Sequence, residues 1–250
     1  MKISLITSVY NNQETIAEAI DSVLSQTYPD IEYIIIDGGS TDATVNIIKS
    51  YKNRLAAFIS EPDQGIYDGL NKGIKLATGD VIGFLHSDDL YENNRVIEKV
   101  AQAFKDNDID SVYGDLTYVN KNDPSKIIRY WKSGIFTRRK LAYGWMPPHP
   151  TFFVKRAIYQ QFGLFDTSFK IAADYDLILR FLGKYAISTY YIPAVFIKMR
   201  VGGESNKSLK NILQKSWEDL RAMQNNSVGN FISLLVKNFS KLQQFFVKNV

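Results

Sequence analysis

Cysteine is absent from the chain, which excludes disulfides and thiolate metal sites and suits a reducing compartment. No stretch reaches the roughly 20 apolar residues of a membrane span. Met1-Lys2 runs straight into a strand-like segment instead of a leader. The expectation is a cytoplasmic protein, either soluble or peripheral on the inner face of the cell membrane. There is no Walker-type loop and no Gly-x-Gly-x-x-Gly, so the phosphate cradles of ATPases and dinucleotide enzymes are missing. Residues 198–250 hold nine of the 30 Lys and Arg but three of the 26 Asp and Glu, which leaves the body slightly acidic. That body has no basic stripe with interleaved aromatics, and nucleic acid is excluded as a partner.

What is present is a regular alternation of strand and helix patterns. Lys2–Val9 is a β-branched apolar run. After Tyr10-Asn11-Asn12, the positions Ile16, Ala19, Ile20, Val23 and Leu24 recur at helical spacing. Ile31–Ile36 reads as a second strand, Ala43–Lys52 as a helix, Leu55–Ser60 as a strand, Tyr67–Leu76 as a helix and Val81–Leu85 as a strand. Such alternation predicts a mainly parallel sheet flanked by helices, with the loops after the strands opening on one edge. Further on, Arg95–Phe104 reads as a helix, and Asp110–Val119 with Lys126–Trp131 as an antiparallel pair. Residues 132–149 read as an irregular connection with a basic triplet at Arg138-Arg139-Lys140. Two short strands, Ala186–Ile192 and Val195–Arg200, are expected around Pro193, and two helices, Ser208–Asn225 and Phe231–Asn249, at the C-terminus.

Val81–Leu85 ends in His86-Ser87-Asp88-Asp89, at the strand edge where open α/β sheets bind ligands. Two adjacent carboxylates repel, and a divalent cation with oxygen ligands relieves that cost and can hold a diphosphate. A helix cap is the alternative reading of the same pair. The turn Asp37-Gly38-Gly39 admits close backbone approach by a ligand, and Asp37 can accept hydrogen bonds from a base or ribose; a plain turn fits the same residues. Tyr10 offers a ring for base stacking. Asp174, in Ala172-Ala173-Asp174-Tyr175-Asp176, starts a helix that buries Leu177, Ile178 and Phe181, either as a cap or as a base; Asp176 and Arg180 read as a structural i,i+4 pair.

Thr7-Ser8-Val9-Tyr10-Asn11-Asn12, Ile34-Ile35-Ile36-Asp37-Gly38-Gly39-Ser40-Thr41-Asp42, Ser60-Glu61-Pro62-Asp63-Gln64-Gly65-Ile66-Tyr67-Asp68-Gly69-Leu70-Asn71-Lys72-Gly73 and Phe84-Leu85-His86-Ser87-Asp88-Asp89 together resemble the inverting family 2 glycosyltransferases of the GT-A fold, in the flavour of bacterial exopolysaccharide enzymes. The resemblance covers roughly residues 1–205. It implies a GT-A, Rossmann-like α/β domain over 1–205, with a nucleotide-sugar half at about 1–120, an acceptor half at 121–205 and a helical tail at 206–250. It implies a nucleotide-sugar donor of the UDP class, a glycan or lipid-linked acceptor, and a divalent cation, Mn²⁺ or Mg²⁺.

By position, the resemblance assigns Thr7, Val9, Tyr10, Asp37, Asp68, Lys72, Ser87 and Asp88 to the nucleotide sugar, Asp89 to the metal and Asp174 to the catalytic base. His149, Arg200, Gly202 and Gly203 fall to the acceptor or a lid, where Lys198 and Arg200 would neutralise diphosphate. The family pattern has acidic residues where this chain has His86 and Ala173, which keeps open a noncatalytic nucleotide-sugar-binding or scaffold subunit. No Gln-x-x-Arg-Trp segment of processive synthases occurs. Phe231, Leu235, Phe239, Leu242 and Phe246, with Lys237, Lys241 and Lys248 nearby, predict a tail helix that either contacts an anionic membrane through residues 229–249 or packs on its own domain or on a second copy.

Overall fold

The computed structural model describes residues 1–202, 209–234 and 236–237. One mixed sheet runs through it. Four parallel strands come first, β1 (Ile3–Val9), β2 (Ile31–Asp37), β3 (Ala57–Ser60) and β4 (Val81–Phe84), in the spatial order β3-β2-β1-β4. The sheet continues past β4 through β8 (Phe153–Lys155), β6 (Ser111–Val119), β9 (Thr189–Arg200) and β5 (Leu90–Tyr91), while β7 (Ile127–Trp131) pairs with β6. β8 is antiparallel to both β4 and β6 and thereby joins the parallel half to the second half.

The helices α1 (Ile16–Leu24), α2 (Thr44–Ser50), α3 (Ile66–Leu76) and α4 (Val96–Asp106) flank this sheet, and α1 buries Ile16, Ala19, Ile20 and Val23. β1 is buried along its whole length, as expected of a strand covered on both faces. Its successive residues serve opposite cores, Leu5 on one side and Ile6 on the other, and in β2 Ile35 opposes Ile34 and Ile36. Each such isoleucine contributes about 1.5–3 kcal/mol by leaving water. The parallel strands therefore cannot slip, and their carboxyl ends deliver three loops to one edge.

Two elements depart from expectation. The paired strands expected around Pro193 are a single strand, β9: the register on β6 jumps from Tyr113↔Tyr191 to Asp115↔Val195, so Ile192, Pro193 and Ala194 bulge opposite Gly114. A bulge accommodates a proline that has no N–H for the ladder. The connection 132–149 also contains a short helix, α5 (Arg138–Leu141).

After β8 come α6 (Arg156–Phe162) and α7 (Ala173–Ile178), which continues as a π-helical stretch at Leu179–Lys184. The first tail helix is α8 (Leu209–Asn225), whose Ala222 and Met223 are fully buried in the same core as Leu177 and Ile178. Of the second tail helix only its beginning is described; Leu235, Phe239, Lys241, Leu242, Phe246 and Lys248 lie outside the described residues. Lys237, beside the stripe expected to meet a membrane, its own domain or a second copy, is 2% exposed. Its ammonium lies 2.9 Å from Asp219 and 3.0 Å above the Tyr175 ring. No described helix is long and apolar enough to cross a membrane.

Candidate active site

The loop after β1 is clasped to the loop after β2. Asn11 takes a left-handed backbone (φ 46°); its side-chain oxygen accepts the Thr41 N–H at 2.8 Å, while its own N–H donates to Ser40 Oγ. The Asn12 N–H donates to Thr44 Oγ1 at 2.8 Å. This clasp leaves Tyr10 62% exposed, its ring free for stacking at the sheet edge.

Asp37 is engaged within its own loop. It is fully buried, and its carboxylate accepts the N–H groups of Gly39 and Ser40 at 3.1 and 3.0 Å and the hydroxyls of Ser40 and Ser60. These contacts are those of the plain-turn alternative, in which Asp37 builds the loop. Gly38 lies beneath a different carboxylate, since a Cβ there would sit 2.6 Å from Asp63 Oδ2.

At the end of β4, Asp88 is half-exposed whereas Asp89 is 1% exposed, with Oδ2 buried and unpartnered and Oδ1 accepting the Arg200 N–H at 3.3 Å. Burial first, and the charge of Asp88 second, push the Asp89 carboxyl well above its ordinary value. The expected division, Asp89 to metal and Asp88 to ribose, is thus reversed in accessibility: Asp88 faces the cleft and Asp89 backs it. The residues fit a hard divalent cation, because an orphaned buried carboxylate oxygen beside a second carboxylate is relieved by one. No group of three acidic or histidine ligands occurs among the described residues, so donor phosphate and water would have to complete its shell.

Arg200 does not belong to a lid. Its guanidinium donates to the Asp88 carbonyl at 2.7 Å and the Lys121 carbonyl at 3.1 Å and pairs with Glu18, so it holds the Asp88-Asp89 turn from behind. Lys198 is also committed, to Glu92 at 3.4 Å. Gly202 has φ +110° and open space around it, a backbone that side chains other than glycine rarely adopt; Gly203 lies outside the described residues.

Other assigned residues serve the framework. Thr7 is buried and donates to the Leu85 carbonyl at 2.8 Å, tying β1 to β4, and the Val9 side chain is core while its carbonyl accepts the Gly38 N–H. Ser87 Oγ accepts from Asn12, and Ser87 O from Thr15, so that serine anchors the loop to the start of α1. Lys72 pairs with Glu61 at 2.9 Å and Asp68 at 3.7 Å and donates to the Pro62 carbonyl, and the carboxylate of Asp68 also accepts the Gln64 N–H. These two brace the loop 61–68.

Across the cleft stands Asp174, the second residue of α7. Tyr67 of α3 reaches it: the phenol donates to the Ile171 carbonyl at 2.7 Å and lies 3.3 Å from Asp174 Oδ1. Burial, and then the charge of Asp174, hold the Tyr67 hydroxyl well above its usual titration. Tyr67 was in a quoted motif but gave no sign of this role, because the partner lies 107 residues away. The Asp176–Arg180 pair forms as expected, at 3.9 Å.

His149 lies on the floor, 5% exposed, stacked on Phe84 at 5.4 Å, edge-on to Phe165 at 5.6 Å and 5.8 Å from the His86 ring. Its Nε2 is buried without a partner. It is thus enclosed among rings. Burial lowers its pKa to about 4, against the opposing pull of Asp174 and with help from His86. The folded-state value lies below the unfolded one, near 6.5, so the neutral ring favours folding above pH 6.5 and that advantage drains away as pH falls toward 4. The loss amounts to about 3 kcal/mol. His149→Phe keeps the stacking and removes the titration. Urea denaturation should therefore show the stability gap between wild type and variant moving by about 3 kcal/mol in the variant's favour from pH 7 to pH 4; a gap independent of pH would contradict the assignment.

The profile of glycosyl transferase family 2 matches residues 4–167. A PGL/p-HBAD biosynthesis glycosyltransferase of Mycobacterium bovis (strain BCG / Pasteur 1173P2) is 30% identical over 208 residues, covering 81% of this chain and 78% of the relative. The crystal structure of S. aureus TarS superimposes with a TM-score of 0.71 at 20% identity over 100% of this chain, which spans 46% of that one; TarS 1–349 is also known in complex with UDP-GlcNAc. The mannosyltransferase PcManGT of Pyrobaculum calidifontis, in complex with GDP-Man and Mn²⁺, gives 0.65 at 16% identity, covering 100% of this chain and 76% of the other. At these identities the two structures show a shared fold, the GT-A glycosyltransferase fold.

Proposed function

The chain belongs to glycosyl transferase family 2, and on that premise we propose that it transfers a sugar with inversion from a nucleotide-sugar donor of the UDP class to a hydroxyl of a glycan or lipid-linked acceptor in bacterial cell-surface polysaccharide synthesis. The observation that carries this reading is a convergence at one imidazole. His86, at the end of β4, lies within the fields of both Asp88 beside it and Asp174 across the cleft. A carboxylate for the diphosphate end of a donor and a carboxylate for the acceptor are thus both near enough to act on His86.

Asp174 takes the proton of the acceptor hydroxyl while the oxygen bonds to the anomeric carbon from the face opposite the leaving group. The bond from that carbon to the diphosphate breaks, and its electron pair leaves on the phosphate oxygen. Asp88, with Asp89 behind it, would hold the divalent cation, which when bound offsets the charge developing on the diphosphate. Tyr10 stacks on the base. His86 places a polar ring next to Asp88, its pKa lowered by burial against the pull of Asp88 and Asp174. TarS with UDP-GlcNAc and PcManGT with Mn²⁺ support the donor class and the cation as those of proteins with this fold.

Thermal unfolding with UDP, GDP, CDP and dTDP, each with and without Mn²⁺, tests the donor site. One diphosphate, expected to be UDP, should stabilise only with metal, by about 2.7 kcal/mol at roughly 100 times its dissociation constant. Asp88→Ala should abolish the shift. If none of the four diphosphates moves the transition, the reading fails.

A further inference from the structure

Resting on that reading of Asp174, we infer that the C-terminal helix α8 belongs to the catalytic apparatus, with Glu218 as the positioning residue for the base. Both Asp174 and Glu218 lie beyond the residues matched by the family profile. The peptide that delivers Asp174 has no cap of its own: α7 starts after Ala172, which carries no hydrogen-bonding side chain, where Ser, Thr, Asp or Asn would ordinarily take up the free N–H groups. Glu218, 46 residues downstream, does not replace that cap but holds the three residues that lead into it. It is 3% exposed; Oε2 accepts the N–H of Ile171 at 2.8 Å and of Ala172 at 2.9 Å, and Oε1 accepts the N–H of Lys170 at 3.2 Å.

The same peptide is gripped on its other side. Tyr67, from the donor half, donates to the Ile171 carbonyl and approaches Asp174. The run 170–172 is therefore clamped between a helix of the donor half and a helix of the tail, and Asp174 follows it by two residues. Gln214, one turn before Glu218 on α8, donates to Oε1 at 2.9 Å and sets the carboxylate in place.

Two further contacts fix α7 to the tail. Asn226 donates to Asp176 Oδ1 at 2.8 Å, and the ion pair of Asp219 with Lys237 sits against Tyr175. A buried carboxylate accepting three backbone N–H groups at one peptide is more than packing requires. A base that must meet an acceptor hydroxyl within hydrogen-bond reach loses rate steeply when it moves by an ångström.

The test uses the full chain and the sugar nucleotide of whichever diphosphate stabilises it most. Release of nucleoside diphosphate is measured per nucleotide-binding site for wild type, Glu218→Gln, Gln214→Ala and Asp174→Asn. In Glu218→Gln an amide NH₂ faces N–H donors, so the clamp opens. Its kcat should fall about 10- to 100-fold while the donor KM and nucleotide affinity stay within about twofold. Gln214→Ala should fall in the same direction by a few fold, and it decides the matter if Glu218→Gln does not fold. A purely structural Glu218 would lower melting temperature and the number of binding sites but leave turnover per site unchanged, and that result overturns the inference. If Asp174→Asn retains full turnover, or no diphosphate binds at all, the reading of the site has failed instead, and this inference falls with it.

Discussion

Asp174→Asn is expected to lower turnover by about 10²- to 10⁴-fold while leaving nucleotide affinity unchanged. The substitution is nearly isosteric, and the amide oxygen can still lie near the Tyr67 hydroxyl, 3.3 Å from the carboxylate in the native protein. What is lost is the group proposed to take the acceptor proton. In the proposed reading the nucleotide is held at the edge formed by Tyr10 and Asp88 and not by this side chain. Isothermal titration with the diphosphate, beside steady-state turnover, separates the two. Loss of both together would mean that Asp174 holds the loop architecture, and loss of neither would remove it from the chemistry.

Asp37→Ala should destabilise the fold by about 3–5 kcal/mol, a loss read as a lower urea midpoint at unchanged slope. The carboxylate is fully buried and satisfies two backbone N–H groups and two hydroxyls, from Ser40 and from Ser60 on the neighbouring strand β3. Alanine leaves these part-buried donors without their common acceptor. A ligand-binding Asp37 would behave differently, weakening nucleotide binding with stability intact. That result would contradict the placement found here.

Much of the fold was legible because its signals are local. The isoleucine runs of β1 and β2, buried on both faces, and the helical spacing of Ile16, Ala19, Ile20 and Val23 each specify one element from a few neighbouring residues. The four quoted motifs all lie at or beside the carboxyl ends of β1 to β4, so their order along the chain was enough to gather them at one edge. Side-chain commitments were not legible. Nothing near Arg200 in sequence announces Glu18 or the Asp88 carbonyl, and nothing near Lys72 says that Glu61 takes its charge in preference to a phosphate.

Accessibility was hidden too. Asp88 and Asp89 are adjacent and chemically alike, and only the return of β9 beside β5 buries the second of them. The same limit applies to the tail, where Lys237 looked like one cation of a surface stripe until Asp219 and Tyr175 were brought against it.

The most direct test of sugar transfer by a single displacement is the anomeric configuration of the first-formed sugar, followed by proton NMR as the enzyme releases diphosphate from its α-linked sugar nucleotide in water, with Asp174→Asn as the control. A lone base at Asp174, with no separate nucleophile, predicts the β anomer from wild type and little release from the variant. First formation of the α anomer would require a second displacement and would contradict the account.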